Sequence, residues 1–220
     1  MENIYSFLGD LRFNNNRDWF NSNKSRYLDA KQSFDQMIEK LIDRLAEQDE
    51  AFSLLLPKDC TYRIYRDARF SANKDPYKMH FGAFIAIGGR KSPFAGYYLH
   101  LEPGKCSLGG GIYKPMPVYL KALRSKIIKE PGKYLELIND KQFKSVFPAI
   151  YGERLKLAPK GFSKDDPNIE LIKNKSYFVV YELEDIYEET AFLDQVTSVY
   201  RIQKPFNDFL NEAIFEIEND

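Results

Sequence analysis

Gly96-Tyr97-Tyr98-Leu99-His100-Leu101-Glu102-Pro103-Gly104-Lys105-Cys106-Ser107-Leu108-Gly109-Gly110-Gly111-Ile112-Tyr113 decides the fold class. Two strand-like runs, 97–101 and 106–113, flank Pro103-Gly104, a dipeptide suited to a tight turn. So short a connection forces the two runs to pair antiparallel. Alternation along the first run sends Tyr98, His100 and Glu102 to one face and Tyr97, Leu99 and Leu101 to the other. Upstream, Phe81 to Ile87 reads as a nearly continuous apolar strand ended by Gly88-Gly89. Tyr62-Arg63-Ile64-Tyr65-Arg66 reads as another strand, and Tyr177 to Leu183 as a fifth.

Helical spacing brackets this sheet on both sides. Ile4, Phe7, Leu8 and Leu11 make a short first helix, which Asn14-Asn15-Asn16 ends. Asn16 is placed to cap a second, long helix, with Asp18 facing the positive end of its dipole. Phe20, Tyr27, Phe34 and Leu41 fall seven apart, with Met37, Ile38, Ile42 and Leu45 on the same face. A soluble helix must bury such a stripe, so it reads as packing rather than as a partner surface. After Pro117, Val118, Leu120, Leu123, Ile127 and Ile128 predict one helix, and Tyr134, Leu135, Leu137 and Ile138 a shorter one. Pro159 to Pro167 reads as an irregular loop. A last helical region runs from about Thr190 to Glu218, kinked or split at Pro205, which lacks a backbone donor. The class is α+β: a mainly antiparallel sheet of about five strands packed with N-terminal and C-terminal helices. A length of 220 residues fits a single domain, with helices over 1–50, the sheet region over 59–113 and a mixed part over 116–220.

Composition works by exclusion. Lys plus Arg and Asp plus Glu both number 32, so the chain is formally neutral and is not a general polyanion binder; a nucleic-acid partner is not expected. A hydrophobic share of 44% excludes disorder for most of the chain. No run approaches about 18 uninterrupted apolar residues, so no membrane span is expected. Met1-Glu2-Asn3-Ile4-Tyr5 lacks a basic stretch followed by an apolar run, which gives no signal peptide and a cytoplasmic placement. Cys60 and Cys106, in two separate predicted strands, read as buried free thiols, although spacing leaves a disulfide between them open. Two histidines and two cysteines without close spacing give no zinc signature, and no metal or cofactor is expected. Charge is uneven: residues 121–164 hold eleven Lys/Arg against four Asp/Glu, and residues 181–220 hold two against eleven. Solvated helix faces are the favoured reading over docking of one segment on the other.

Residues 63–78, Arg-Ile-Tyr-Arg-Asp-Ala-Arg-Phe-Ser-Ala-Asn-Lys-Asp-Pro-Tyr-Lys, concentrate the chemistry. Arg63, Arg66, Arg69, Lys74 and Lys78 gather beside Asp67 and Asp75 where the strand should end and a loop begin. Arginine forks bind carboxylate and phosphate bidentately, and lysine adds a point charge. A bend would bring Arg66 and Arg69 together. The functional reading is a site for a small phosphate- or carboxylate-bearing molecule involving Arg63, Arg66, Asp67, Arg69, Lys74, Tyr77 and Lys78. The structural reading is an ion-pair network in which Asp67 and Glu102 fasten Arg63, Arg66 and Arg69 to the sheet. His100 and Glu102 form a second candidate, a proton-transfer pair. Gly110, within Gly109-Gly110-Gly111, is a third: three glycines in a strand mark a bulge or a close backbone approach, whose donors could share an anion. Lys160-Gly161 and Asp165-Asp166 are weaker, reading as a turn and a solvated acidic pair.

Arg63-x-x-Arg66-Asp67-x-Arg69-Phe70-x-x-x-Lys74-x-Pro76-Tyr77 resembles the signature of a widespread, mainly bacterial family of conserved hypothetical proteins of similar length, catalogued as a domain of unknown function. The resemblance extends to Asn15-Asn16-Arg17-Asp18-Trp19-Phe20, Gly96 to Gly104, Gly109 to Tyr113 and Ala158-Pro159-Lys160-Gly161-Phe162. Asp166 stands before Pro167 where the family pattern often carries histidine. The resemblance implies no activity, cofactor or catalytic residue. The residues themselves point to an enzyme or binder for a small anionic ligand. The alternative is a protein-interaction module, its partner unidentified, in which the Arg/Asp motif is structural.

Overall fold

Gly104 takes the left-handed conformation (φ 74°) and Lys105 N–H donates to Glu102 O at 2.9 Å, closing the turn that the Pro-Gly pair predicts. The computed structural model, which describes residues 1–67, 69 and 71–218, places four strands in one antiparallel sheet. They are β1 (Phe81–Ala86), β2 (Gly96–Leu101), β3 (Ser107–Ile112) and β4 (Tyr177–Glu182), in spatial order β1-β2-β3-β4. The architecture is thus helices and an antiparallel sheet as expected, with four strands among the described residues rather than about five.

The missing strand is 62–66. Among the described residues, Thr61 just before it makes one antiparallel bridge, to Ala83, and Tyr65 within it makes one, to Tyr77. Tyr62 N–H donates to Gly82 O at 2.9 Å, and the chain then turns away from β1. Arg66 N–H donates to Pro76 O at 2.9 Å and Lys78 N–H to Ile64 O at 2.8 Å, so 64–66 pair with 76–78 instead. Pro76 has no N–H for a ladder, and the Asn73 side chain accepts from Asp75 N–H at 2.7 Å, a local turn that competes with strand pairing.

The chain divides into two compact units, 1–90 with 98–108 and 182–197, and 91–97 with 109–181 and 198–220. In the first, α1 (Glu2–Phe13) is followed by α2 (Arg17–Ser22) and α3 (Lys24–Ala46). Asn16 caps α2 as expected, accepting from Trp19 N–H at 2.9 Å. The single long helix is nevertheless two. Asn23 lies at the break, its amide donating to Trp19 O at 2.9 Å and its oxygen accepting from the Arg26 guanidinium at 3.2 Å, side-chain bonds that compete with a continuous backbone ladder. The stripe from Phe20 to Leu45 is buried. Cys60 ends the short helix α4 (Pro57–Cys60) and Cys106 precedes β3, so neither stands in a strand; both are buried and unbridged.

In the second unit, α5 (Pro117–Lys129) and α6 (Pro131–Asn139) are followed by α7 (Lys141–Val146), which the spacing did not predict and which Asp140 caps by accepting from Phe143 N–H at 2.9 Å. The last helix, α8 (Glu189–Glu218), runs through Pro205 without splitting. An interior proline costs about 3 kcal/mol. Beyond it, Phe206, Phe209, Leu210, Ala213 and Ile214 are all buried, at about 1.5–3 kcal/mol for each of the larger side chains, so packing outweighs the lost donor. On the same helix the amides of Gln203 and Asn207 both donate to Gly96 O at 3.1 Å. The charge asymmetry is also used here: buried Lys126 pairs with Glu130 at 2.7 Å and Glu212 at 2.6 Å, a contact that solvated faces would not make.

Gly110 has φ 144°, and a Cβ there would lie 1.9 Å from Gly96 O and 2.4 Å from Gln203 Nε2. The glycine run is therefore a close backbone approach. Gly110→Ala lowers stability by about 3 kcal/mol or more, through overlap and backbone strain. Gly132→Ala, on α6 with open space around the added carbon, is neutral or raises stability by up to about 1 kcal/mol. Urea unfolding of the two variants reads this contrast directly. Burial pushes the Cys60 thiol from 9.0 up to about 12, with Asp59 adding to the rise. The folded chain keeps a proton that the unfolded chain loses near pH 9, so this group's stabilisation is complete below that pH and declines as pH rises toward about 12. Iodoacetamide at about pH 8.5, where a free thiol is half ionised, labels Cys60 only after denaturation, as read by mass spectrometry.

Candidate functional site

The loop carrying the arginine motif is built on a narrow neck. Asn15 grips Tyr77 from both sides: its amide donates to Tyr77 O at 3.0 Å and its oxygen accepts from Tyr77 N–H at 3.1 Å. The Tyr77 ring stacks on Phe20 at 3.9 Å between centroids and 11° between planes. Lys24 Nζ lies over the rings of Phe20, Tyr27 and Tyr65 and donates to Tyr65 Oη at 3.2 Å. Two of the segments that carry the family resemblance, 15–20 and 63–77, therefore meet. Tyr77, at 5% exposure, is part of that packing.

The cations of the motif have separate fates. Arg69 forms a two-pronged pair with Asp67, Nε to Oδ1 at 2.9 Å and Nη2 to Oδ2 at 2.7 Å. The Arg69 hydrogen bonds hold the Asp67 carboxyl below its ordinary range, and the same pair raises Arg69. Both side chains are largely exposed, so the pair orders the loop more than it stabilises the fold. Arg66, expected beside Arg69, donates instead to Ser71 Oγ at 3.4 Å. Lys74 Nζ donates to Arg69 O at 3.5 Å. Ala68 and Phe70 of the motif lie outside the described residues. Arg63 is exposed and near enough to Asp67 and Lys78 to act on the charge of both.

Lys78 is different. It is half-buried, with Nζ 5.4 Å from the centroid of the Tyr62 ring. Desolvation lowers its pKa, and Arg63 lowers it further. Among the described residues it forms no ion pair with a carboxylate, and no neighbour raises its pKa.

Two residues further on stands His80, at the entrance to β1. Its ring centroid is 4.0 Å from that of His100 on β2. The His100 ring contacts Tyr98 Oη through Nδ1 at 3.4 Å and Glu102 Oε2 through Nε2 at 3.0 Å. Glu102 is buried, and its second oxygen accepts from Arg12 Nη2 of α1 at 3.4 Å. Glu102 is thus held by Arg12 and His100 rather than by the loop arginines of the structural reading. Burial, followed by the proximity of His100, drives the His80 pKa from 6.5 down to about 4. Gly82 keeps this face open: a Cβ there would sit 3.3 Å from Tyr98 Oη and 3.6 Å from Tyr62 Cδ2.

Lys78, His80, Tyr98, His100, Glu102 and Arg12 belong to one compact unit, as do Arg63, Arg66, Asp67, Arg69 and Lys74. Gly110 belongs to the other unit, against Gly96 and Gln203. Sequence reading missed His80 and Arg12. The two-residue alternation of Lys78, His80 and Gly82 ahead of β1 is the available cue for His80, whereas nothing local marks Arg12. The assembled groups can attract an anion at Lys78 and Arg63 and move a proton between His100 and Glu102. The donor atoms of His80, His100 and Glu102 lie within 4.8 Å of one another, a spacing that metal ligands can take. Sequence spacing cannot register ligands that two adjacent strands bring together.

The family model of the conserved hypothetical protein family DUF2461 matches residues 3–209, and the chain belongs to that family. No curated protein and no solved structure matches the chain.

Asn15→Ala removes both bonds to the Tyr77 backbone and leaves a part-buried N–H and C=O to find new partners. The expected loss is about 1–3 kcal/mol in urea unfolding. Amide exchange at Tyr77 and Lys78 accelerates in the variant more than exchange in α3 does.

Proposed function

We propose that this protein binds a small phosphate- or carboxylate-bearing molecule through Lys78 and Arg63, with His100 and Glu102 positioned as a proton-transfer pair beside it. Lys78 carries the reading. A half-buried ammonium pays a desolvation penalty that an anion relieves. Arg69 has such a counter-ion in Asp67, whereas Lys78 is flanked by an aromatic face and a second cation. An incoming oxyanion would supply the missing charge, take a bidentate contact from Arg63 and a point charge from Lys78. The His100–Glu102 contact at 3.0 Å gives such a ligand a group able to accept or return a proton. The closed Asp67–Arg69 pair favours the second reading, in which the loop is a structural element of a protein-interaction module. That pair accounts for two residues of the motif and leaves Lys78 and Arg63 unexplained.

Thermal unfolding against a panel of phosphate, nucleotides and di- and tricarboxylates tests the proposal. A ligand at one hundred times its Kd adds about 2.7 kcal/mol, which for a chain of this size raises Tm by about 5 °C or more. Lys78→Gln and Arg63→Gln abolish the shift and Arg69→Gln keeps most of it. A flat response across the whole panel overturns the proposal.

A further inference from the structure

We infer that His80, His100 and Glu102 form a binding site for one first-row divalent transition-metal ion, of the zinc or ferrous class. Each residue offers one ligand atom, and all three atoms fall within 4.8 Å of one another. Metal–nitrogen and metal–oxygen bonds of about 2.1 Å place neighbouring ligands about 3.0 Å apart in octahedral and about 3.4 Å apart in tetrahedral geometry. His100 Nε2 and Glu102 Oε2 already stand 3.0 Å apart. The His80 nitrogen, within 4.8 Å of both, is the ligand that must close in on the ion.

The groups behind the ligands fit the same reading. With the metal on His100 Nε2, the ring proton moves to Nδ1, which faces Tyr98 Oη at 3.4 Å and can donate to it. Arg12 holds Glu102 Oε1 at 3.4 Å, which orients the carboxylate and leaves Oε2 for the ion. Metal-bound histidines and carboxylates are fixed by partners of this kind. His80 is partly buried and makes no hydrogen bond to any described residue, so its ring nitrogens have no such partner to give up for an ion. Both the aromatic contact at 4.0 Å between the two imidazoles and the buried carboxylate are otherwise unusual company for a sheet face.

Two nitrogens and one carboxylate oxygen leave coordination positions open, the pattern of catalytic zinc sites and of non-haem iron sites rather than of closed structural ones. An oxygen-only ion such as Mg²⁺ is disfavoured by the two imidazoles. If the anion reading above also holds, the ion supplies a second attachment for the same ligand and takes the place of the proton that His100 and Glu102 share in that reading. The metal site does not depend on it.

The chain contains only two histidines, which gives a readout without any substitution. Chelator-treated, phosphate-free protein is titrated with Zn²⁺ while imidazole nitrogen resonances are followed by NMR. The expected result is saturation at one equivalent, with both histidine rings shifting together. Co²⁺ gives visible absorption without thiolate charge-transfer bands. His80→Gln and His100→Gln each weaken Zn²⁺ binding on the order of 100-fold or more, and Arg12→Gln, acting through Glu102, by about 10–100-fold. Circular dichroism confirms that these variants fold; if one does not, the resonances of the unsubstituted protein decide. Histidine resonances that stay unmoved at one equivalent of Zn²⁺, or thiolate bands with Co²⁺, overturn the inference. Because phosphate is absent, the outcome is separate from the anion panel.

Discussion

The pairing of β1 with β2 is the constraint on which the candidate site depends. Adjacent strands stand about 4.8 Å apart, and side chains repeat every second residue, so a face can gather groups that are distant in the chain. His80 and His100 are twenty positions apart in sequence and 4.0 Å apart between ring centroids. Glu102 continues the alternation of β2 and meets Arg12 from α1. Gly82, in the same row as His80, leaves the space that a larger side chain would fill. The geometry of the candidate site therefore follows from strand register.

Burial separates cations that look alike in sequence. Arg69 is exposed and answered by Asp67 two residues away. Lys126 is buried and answered twice, by Glu130 and Glu212. Lys78 is half-buried beside Tyr62 and Arg63. The first arrangement orders a loop and the second joins α5 to the end of α8. The third leaves an electrostatic demand that the described chain does not meet.

Local signals were legible and long-range ones were not. Asn16 could be read as a cap because its partner, Trp19 N–H, is three residues away. The Pro103-Gly104 turn was legible for the same reason. Residues 62–66 have the composition of a strand, yet their partner is decided by competition between Gly82 and the Pro76–Lys78 segment, which no local pattern ranks. Asn23 has the look of an ordinary helical-surface residue, and its two side-chain bonds break the helix. Pro205 misled in the opposite direction, because the apolar face after it outweighs one absent donor. For the site, His100 and Glu102 could be paired from alternation alone. His80 could not, since its place opposite His100 is set by the sheet. The glycine run was correctly suspected of close approach, and only the fold revealed that Gly96 and Gln203 are what approach it.

The grip of Asn15 on Tyr77 has an evolutionary corollary. The motif loop is fastened at its base, where Arg66 N–H donates to Pro76 O, Lys78 N–H to Ile64 O, and Asn15 holds Tyr77. Lengthening such a tip costs only loop-closure entropy, about 0.6 kcal/mol for each doubling. Descendants of this chain can therefore exchange the tip's charge pattern while the framework that presents the histidines is inherited unchanged.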